Sequence, residues 1–311
     1  MTNRATLLFK SIEAVEQGLL SQSYIPDRNL ATVVFLAWRL KKPLFLEGEP
    51  GVGKTEIASV LARALGADLI RLQCYEGLDA NHALYEWNYP RQILAIKWGE
   101  QCGTDRGLLG QALFTEEFLI KRPLLQAILS ASHQEPVLLI DEIDRSDEEF
   151  EALLLEVLSD FQVSIPEIGT LKAVRRPLVI LTSNRTRDIH DALKRRCLYH
   201  WIDYPTPEKE RDIIMARIAG VNEQLAAQIA EFMKRLREED FVKRPGVAET
   251  LDWASALLEL NCTCLDEETV RQTRGCILKY REDLLRFEEL WEQGDFRKTL
   301  LGNPCGFFPC G

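Results

Sequence analysis

The sequence lacks any long apolar run. No apolar run among its 311 residues approaches the length of roughly 18 residues that a membrane-spanning helix needs. The segment Met1–Lys10 has no basic stretch leading into an apolar core, so no signal peptide is predicted. These two absences lead us to expect a cytoplasmic protein, in which the eight cysteines stay reduced.

Positive charge and metal-binding cysteine motifs are also scarce. The 38 Lys and Arg residues against 48 Asp and Glu give a net charge of −10. Tight, sequence-independent binding to nucleic acid needs clustered positive charge, so such binding is not expected, although a local basic patch is not excluded. The cysteines do not form the two C-x-x-C pairs of a zinc site, and Cys305 and Cys310 near the C-terminus receive no role.

Short apolar runs alternate with amphipathic helical segments up to Asp203, and the pattern beyond it is helical. Strands that alternate with helices predict an α/β fold with a parallel sheet covered on both faces. The predicted strands are 43–46, 68–72, 137–140, 178–181 and 200–202. The predicted organisation is an N-terminal helix at 1–26, an α/β core at 27–205, a helical domain at 206–293 and an irregular tail at 294–311.

Three local patterns give sharper expectations. Asp27 is predicted to cap a helix that runs to about Leu40. Ser146, with Glu149 three residues later, has the spacing of a capping box. Residues 162–174 are predicted to form a small hairpin whose Ile165 and Ile168 would be exposed at its tip, with packing of these side chains against the C-terminal helical domain as the alternative.

A glycine-rich segment follows the first predicted strand. It fits G-x-x-x-x-G-K-[ST], the pattern of a P-loop, and it lies between an apolar strand and an amphipathic helix. Backbone N–H groups of such a loop surround phosphate oxygens, the lysine reaches the β- and γ-phosphates, and the hydroxyl ligates Mg²⁺. The predicted nucleotide-binding residues are Gly48, Glu49, Pro50, Gly51, Val52, Gly53, Lys54, Thr55 and Glu56, with Thr55 also a metal ligand.

Polar side chains end two later strands. Asp141 and Glu142 follow the run 137–140, as in a Walker B segment, so Asp141 is predicted to hold Mg²⁺ and Glu142 to polarise the attacking water. Asn184 ends the run that begins at Leu178, and beside the Walker B strand it would contact the γ-phosphate and the water. Surface acids and a turn-forming asparagine are the alternatives.

A basic run, Lys194-Arg195-Arg196, follows within a dozen residues of Asn184. Its position before a closing strand predicts an arginine finger, a guanidinium offered to the γ-phosphate held by a neighbouring subunit. A solvated face or a nucleic-acid patch is the alternative. Sequence alone does not decide between Arg195 and Arg196.

The order of these motifs resembles that of AAA+ ATPases and, more narrowly, of the MoxR family. The resemblance covers roughly residues 25–295 and is carried by 48–55, 138–144, 162–169 and 191–204. The segments 74–79 and 246–253 are similar to the branch associated with carbon monoxide dehydrogenase maturation.

The resemblance implies a five-stranded sheet in the order 5-1-4-3-2, a C-terminal all-helical lid and an insert within 73–115. It implies ATP and Mg²⁺ as cofactors, a homo-oligomeric ring that is usually a hexamer, and a partner with a von Willebrand factor A domain. The implied activity is ATP-driven remodelling of a protein client, such as a molybdenum-containing metalloenzyme. By position it favours Arg196 as the finger.

One departure concerns the lid. Family members carry a sensor arginine in a Ser-Pro-Arg segment that opens a lid helix. The comparable stretch here, Val247–Thr250, has no arginine, and Arg244 just upstream is a candidate substitute.

Two other functions fit parts of the sequence. A nucleic-acid motor of the same fold is disfavoured by the net charge of −10 and by the lack of a DNA-binding module. A nucleotide-gated scaffold that does not hydrolyse ATP is disfavoured by the presence of Glu142, Asn184 and Arg196.

Overall fold

The computed structural model describes residues 4–101, 113–130, 135–294 and 296, and these fall into two compact units. The first unit comprises Met1–Gly18, Asp27–Glu47 and Thr55–Trp201. The second comprises Leu19–Pro26, Gly48–Lys54 and Ile202–Gly311, so the glycine-rich loop groups with the C-terminal helices.

The strands and helices are numbered along the described residues. The strands are β1 (Leu44–Gly48), β2 (Leu69–Gln73), β3 (Tyr85–Trp87), β4 (Leu119–Lys121), β5 (Val137–Asp141), β6 (Gln162–Ile165), β7 (Gly169–Lys172), β8 (Leu178–Ser183) and β9 (Leu198–Ile202). The helices up to β9 are α1 (Arg4–Leu8), α2 (Ile12–Leu20), α3 (Arg28–Leu40), α4 (Lys54–Leu65), α5 (Ala80–Ala83), α6 (Tyr89–Gln101), α7 (Pro123–Ile128), α8 (Glu148–Asp160) and α9 (Asp191–Arg196). Those that follow are α10 (Pro207–Arg217), α11 (Glu223–Glu238), α12 (Val247–Glu259), α13 (Glu267–Thr273) and α14 (Arg281–Glu292).

The central sheet has five strands in the order β2-β5-β8-β1-β9, and the pairs β2–β5, β5–β8 and β1–β8 are parallel. Counting only these five strands along the chain, the order from the β9 edge is 5-1-4-3-2, which confirms the predicted fold. Every residue of β1, β5 and β8 is buried, as expected for strands covered on both faces.

Four of the five strands, β1, β2, β5 and β8, extend past the last apolar residue at their carboxyl ends. Parallel pairing continues to Gln73 opposite Asp141 and to Glu47 opposite Ser183. Four predicted strands end one or two residues too early, because backbone pairing does not stop where apolar side chains stop, and the fifth, predicted at 200–202, begins two residues too late. The extension matters because it places polar side chains on the ordered edge of the sheet.

Two predictions near the N-terminus have different outcomes. Asp27 caps α3 as predicted, since its Oδ1 accepts from the Leu30 N–H at 2.7 Å. The single N-terminal helix is wrong, because α1 ends at Leu8 and α2 begins at Ile12. Ser11 Oγ accepts from the Ala14 N–H at 3.2 Å, and this local bond starts the second helix afresh.

The predicted hairpin at 162–174 is confirmed by the antiparallel pair β6–β7. The exposure predicted for Ile165 is wrong: its side chain is fully buried in the core of the first unit, and Ile168 packs against the same core. The range 73–115, in which the family resemblance implies an insert, contains α5, β3 and α6, and its residues 102–112 lie outside the described residues.

The C-terminal part of the second unit is helical, as predicted. Thr206 caps α10 with Pro207 in the first helical position. The core of these helices combines aliphatic side chains with a group of aromatic ones that includes Phe232, Trp253 and Trp291. The irregular tail predicted at 294–311 lies outside the described residues except for 294 and 296.

Candidate active site

The glycine-rich loop, Gly48–Lys54, lies in the second unit and leads into α4. Gly51 and Gly53 have φ angles of +78° and +92°, a region that side chains with a Cβ rarely adopt. The Lys54 side chain is buried, and its Nζ donates to the carbonyl oxygens of Gly48 and Glu49, each at 2.7 Å. The loop therefore turns tightly at two glycines, and its lysine folds back against the loop's own backbone.

In the first unit, a hydroxyl and a carboxylate meet at the carboxyl edge of the sheet. Thr55 Oγ1 donates to Asp141 Oδ1 at 2.9 Å, and Thr182 Oγ1 donates to the same oxygen at 2.5 Å. Asp141 is 2% exposed, so its charge is held almost entirely by these partners and by one arginine. Hydroxyl and carboxylate oxygens are hard ligands of the kind that Mg²⁺ prefers.

Glu142 is held on several sides. Its Oε2 accepts from Gln73 Nε2 at 3.0 Å and pairs with Arg145 Nε at 3.0 Å, while Asn184 Nδ2 lies 3.4 Å from Oε1. The backbone of Glu142 is left-handed, with φ of +55°, and its N–H donates to Thr182 Oγ1 at 3.0 Å. A non-glycine residue in this conformation at the end of a strand is typical of functional sites.

Asp144 orders the loop that carries Asn184. Its carboxylate accepts from the Asn184 N–H at 3.2 Å, from the Thr186 N–H at 2.9 Å and from the Thr186 hydroxyl at 2.7 Å. Burial acts to raise the pKa of Asp144, but the hydrogen bonds from Thr186 and Asn184 outweigh it and hold the pKa below its ordinary value. Asp144 thus stays ionised. Its hydrogen bonds fix the backbone of Asn184, whose side-chain amide lies next to Glu142.

Two further titratable side chains, those of Cys74 and Tyr199, stay protonated. Burial, reinforced by the charges of Asp141 and Asp144, raises the pKa of the Cys74 thiol to about 12. Burial and a 2.9 Å hydrogen bond to Glu47 raise the pKa of Tyr199 to about 12. Neither group supplies a base near neutral pH.

Three predicted residues are placed less directly. The Glu56 carboxylate pairs with Arg63 at 3.0 Å on the surface of α4. Arg195 and Arg196 are exposed at the end of α9. The Arg196 side chain donates to the Leu155 carbonyl of its own chain, whereas the Arg195 side chain makes no hydrogen bond or ion pair within the part of the chain that the structure describes.

Sequence reasoning missed two side chains of β2. Arg71 Nη2 lies 2.5 Å from Asp141 Oδ2 and 2.7 Å from Gln73 Oε1, and Gln73 in turn contacts Glu142. Residues two apart on a strand share one face, so Arg71 and Gln73 act together. With β2 placed beside the Walker B strand, an Arg-x-Gln pattern at its end could have indicated this pair.

Two absences hold for the described residues. No helix among them is long and apolar enough to span a membrane. No group of three or more His, Cys, Asp and Glu side chains in the described ranges could hold a metal by itself. A metal at Thr55 and Asp141 would therefore need further oxygens from a nucleotide or from water.

Comparison with known proteins identifies an AAA domain within the chain. The model of the AAA domain of the dynein-related subfamily matches residues 43–197. An uncharacterized protein of Staphylococcus haemolyticus is 27% identical over 251 residues, which is 78% of this chain and 86% of that protein. Chaperone MoxR1 of Mycobacterium tuberculosis is 25% identical over 251 residues, or 78% of this chain and 56% of that protein.

Solved structures of Thermotoga maritima RuvB, a Holliday junction branch migration motor, are also similar. One point-mutant structure is 17% identical with a TM-score of 0.49, covering 92% of this chain and 80% of that one. A second point-mutant structure is 18% identical with a TM-score of 0.47, covering 85% and 71%. The AAA domain match over residues 43–197 and the similarity to Chaperone MoxR1 show a MoxR-like AAA+ ATPase.

Proposed function

We propose that the chain hydrolyses ATP with Mg²⁺, as a subunit of a homo-oligomeric ring, and uses the energy to remodel a protein client. One observation carries the proposal: Thr55, Asp141, Glu142 and Asn184 converge at the carboxyl edge of one sheet. Ligands of open parallel sheets bind at this edge.

The nucleotide would be held by the loop residues predicted from sequence, Gly48–Glu56. Lys54 would exchange its bonds to the Gly48 and Glu49 carbonyls for the β- and γ-phosphates. The loop amides and the N-terminal end of α4 would complete the phosphate cradle. Glu56 would contribute through its backbone, because its carboxylate already pairs with Arg63.

The oxygens of Thr55 and Asp141 fit a magnesium ion, because both are hard ligands and the described residues hold no rival cluster of acids. When bound, the metal would neutralise charge on the transferred phosphoryl group. Glu142 would accept the proton of the attacking water, and the Asn184 amide would orient that water. Glu142 would first have to leave Gln73 and Arg145, each 3.0 Å away.

The assembly and the client are proposed by family resemblance. We propose a ring, most simply a hexamer, in which Arg196 acts as the finger toward a neighbouring subunit. The proposed organisation is a core at 27–205 and a lid at 206–293. A von Willebrand factor A domain protein is the proposed partner, and a molybdenum-containing enzyme of the carbon monoxide dehydrogenase type is the proposed client.

Single-site variants test the activity. Glu142→Gln keeps the side-chain shape but cannot take a proton, so ATP should still bind while phosphate release falls by about 10²-fold or more. Lys54→Ala should lose nucleotide binding. The matched control is Glu148→Gln, an exposed acid of the first turn of α8. Unchanged phosphate release by Glu142→Gln would contradict the assignment.

Two measurements separate this function from its rivals. A nucleic-acid motor would be stimulated by added DNA, whereas the proposed enzyme should be indifferent to it. A nucleotide-gated scaffold would bind ATP and release no phosphate at all, even as wild type.

A further inference from the structure

The glycine-rich loop meets the start of α12 within the second unit. The Val247 N–H donates to the Gly51 carbonyl at 2.9 Å. A Cβ at Gly246 would lie 2.7 Å from Gly51 Cα and 2.9 Å from the Pro50 oxygen. Real Cβ atoms do not approach backbone so closely, so only glycine fits at 246 while this contact is made.

The hydrogen bond from Val247 to Gly51 fixes the orientation of a whole peptide unit, not of the carbonyl alone. A trans peptide unit is planar, and its C=O and N–H point in opposite directions. The Gly51 C=O and the Val52 N–H belong to one such unit. When Val247 holds the carbonyl on the side of α12, the Val52 N–H is directed to the opposite side of the loop backbone. Phosphate-binding loops use amides of this kind as donors.

A buried ion pair fixes the backbone on either side of Gly246. Arg237 makes a two-pronged pair with Glu210, with N···O distances of 2.6 and 2.7 Å, and both side chains are buried. Arg237 Nε also donates to the Pro245 carbonyl at 2.8 Å, and Thr250 Oγ1 lies 3.0 Å from the Gly246 carbonyl. Arg237 therefore holds the Pro245 carbonyl directly and the Gly246 carbonyl through Thr250, whose Oγ1 accepts from Arg237 Nη2 at 3.1 Å.

The capping arrangement of α12 adds a third restraint. Glu249 Oε2 accepts from the Gly246 N–H at 2.9 Å. The same oxygen would lie 3.3 Å from a Cβ at Gly51, so this carboxylate also limits the space beside the loop. In this chain the start of α12 contacts the loop through backbone groups. The family resemblance implies a sensor arginine in this segment, and the segment has none.

We propose that Gly246 is a positioning residue for nucleotide binding, which holds the Val52 amide ready for phosphate through the bond from Val247 to Gly51. The inference rests on the proposed ATPase function and deepens it. The Val52 amide would bind the phosphates equally in the ground state and the transition state. Loss of the contact should therefore raise KM and the Kd for ADP and leave kcat nearly unchanged.

Gly246→Ala is the first test. Its methyl group would force the loop away from α12. We expect KM for ATP and Kd for ADP to rise by about tenfold, the scale of one hydrogen bond to a charged group. Gly275→Ala is the matched control, because a Cβ there meets nothing within 4 Å. The temperature of unfolding should match wild type in both variants.

Val247→Pro is the second test, because it removes the donor itself. Val247 is the first residue of α12, where proline is tolerated, and Gly246 has the extended conformation that precedes proline, with φ −86° and ψ −173°. This variant should weaken nucleotide binding like Gly246→Ala. Val247→Ala keeps the N–H and should bind like wild type.

Amide exchange in the wild-type protein tests the contact itself, even if both variants misfold. The N–H of a first helical residue has no acceptor within its own helix, so its protection requires an outside partner. Slow exchange at Val247 is expected, and fast exchange would overturn the proposal. Folded variants that bind ADP like wild type would also overturn it. If the wild-type protein binds no nucleotide, the proposed function fails, and slow exchange at Val247 would still be found.

Discussion

At the scale of single residues, the two oxygens of Asp141 have different partners. Oδ1 accepts from two hydroxyl groups, and Oδ2 lies 2.5 Å from the Arg71 guanidinium. An arginine and a divalent cation near one carboxylate repel each other. Before ATP binds, Arg71 should therefore compete with the proposed Mg²⁺ ion for Asp141.

Arg71→Gln tests this competition. Removing the positive charge should lower the Mg²⁺ concentration needed for half-maximal phosphate release, by about tenfold if the lost repulsion is worth about 1.4 kcal/mol. A magnesium titration at saturating ATP measures the effect. Arg63→Gln, which alters a surface pair on α4, is the control. A higher magnesium requirement in Arg71→Gln would mean that Arg71 orients Asp141 instead of competing for it.

At the scale of elements, the β6–β7 hairpin is anchored by its first strand. Ile165 is fully buried and belongs to the core of the first unit, whereas Val174, just after β7, is 93% exposed. Ile165→Ser would leave a cavity and place a hydroxyl in it, and should cost about 2–5 kcal/mol of the free energy of unfolding. Urea denaturation measures this cost.

Val174→Ser is the matched control for that experiment, because it makes a similar change on a side chain in solvent. Its stability should equal that of wild type. Equal stability of both variants would mean that Ile165 does not pack in the core in solution. The test also bears on the earlier expectation of an apolar tip, since a buried Ile165 cannot contact a client without local opening.

Local patterns predicted the elements well where the signal was short-range. Asp27 caps α3, and the apolar runs predicted all five strands of the central sheet. The capping box expected at Ser146 is wrong: Asp147 caps α8, and Ser146 Oγ bonds the Ile143 carbonyl at 2.8 Å. Both side chains suit a cap, so the choice depends on the turn at 143–145, which the Glu142 backbone sets. Such dependence on neighbouring elements is not readable from spacing.

At the scale of the whole molecule, one contact joins residues that are far apart in sequence. Gly51 and Val247 meet through backbone atoms, and the loop Gly48–Lys54 groups with the C-terminal helices. No periodicity predicts a backbone hydrogen bond of this kind. One indirect sign was present, since the missing arginine in Val247–Thr250 marks this stretch as a departure from the family pattern.

The last prediction concerns the proposed ring. It states that Arg196 acts on a neighbouring subunit. In its own chain Arg196 is exposed and donates to the Leu155 carbonyl, a contact that an approaching phosphate charge could displace. Arg196→Ala should bind ATP normally and hydrolyse it about 10³-fold more slowly, the scale of an arginine finger. Arg195→Ala is the matched comparison one residue away.

Mixing variants tests the action between subunits. Lys54→Ala lacks a working loop but keeps its finger, and Arg196→Ala lacks the finger but keeps its loop. If subunits exchange, some interfaces in a mixed ring join an intact loop to an intact finger, and these should regain phosphate release. A tagged pull-down verifies exchange. Recovery would support action between subunits, whereas a ring that fires only as a whole would show none. The assignment itself is contradicted if Arg196→Ala hydrolyses ATP like wild type while Arg195→Ala does not, because the finger would then be Arg195.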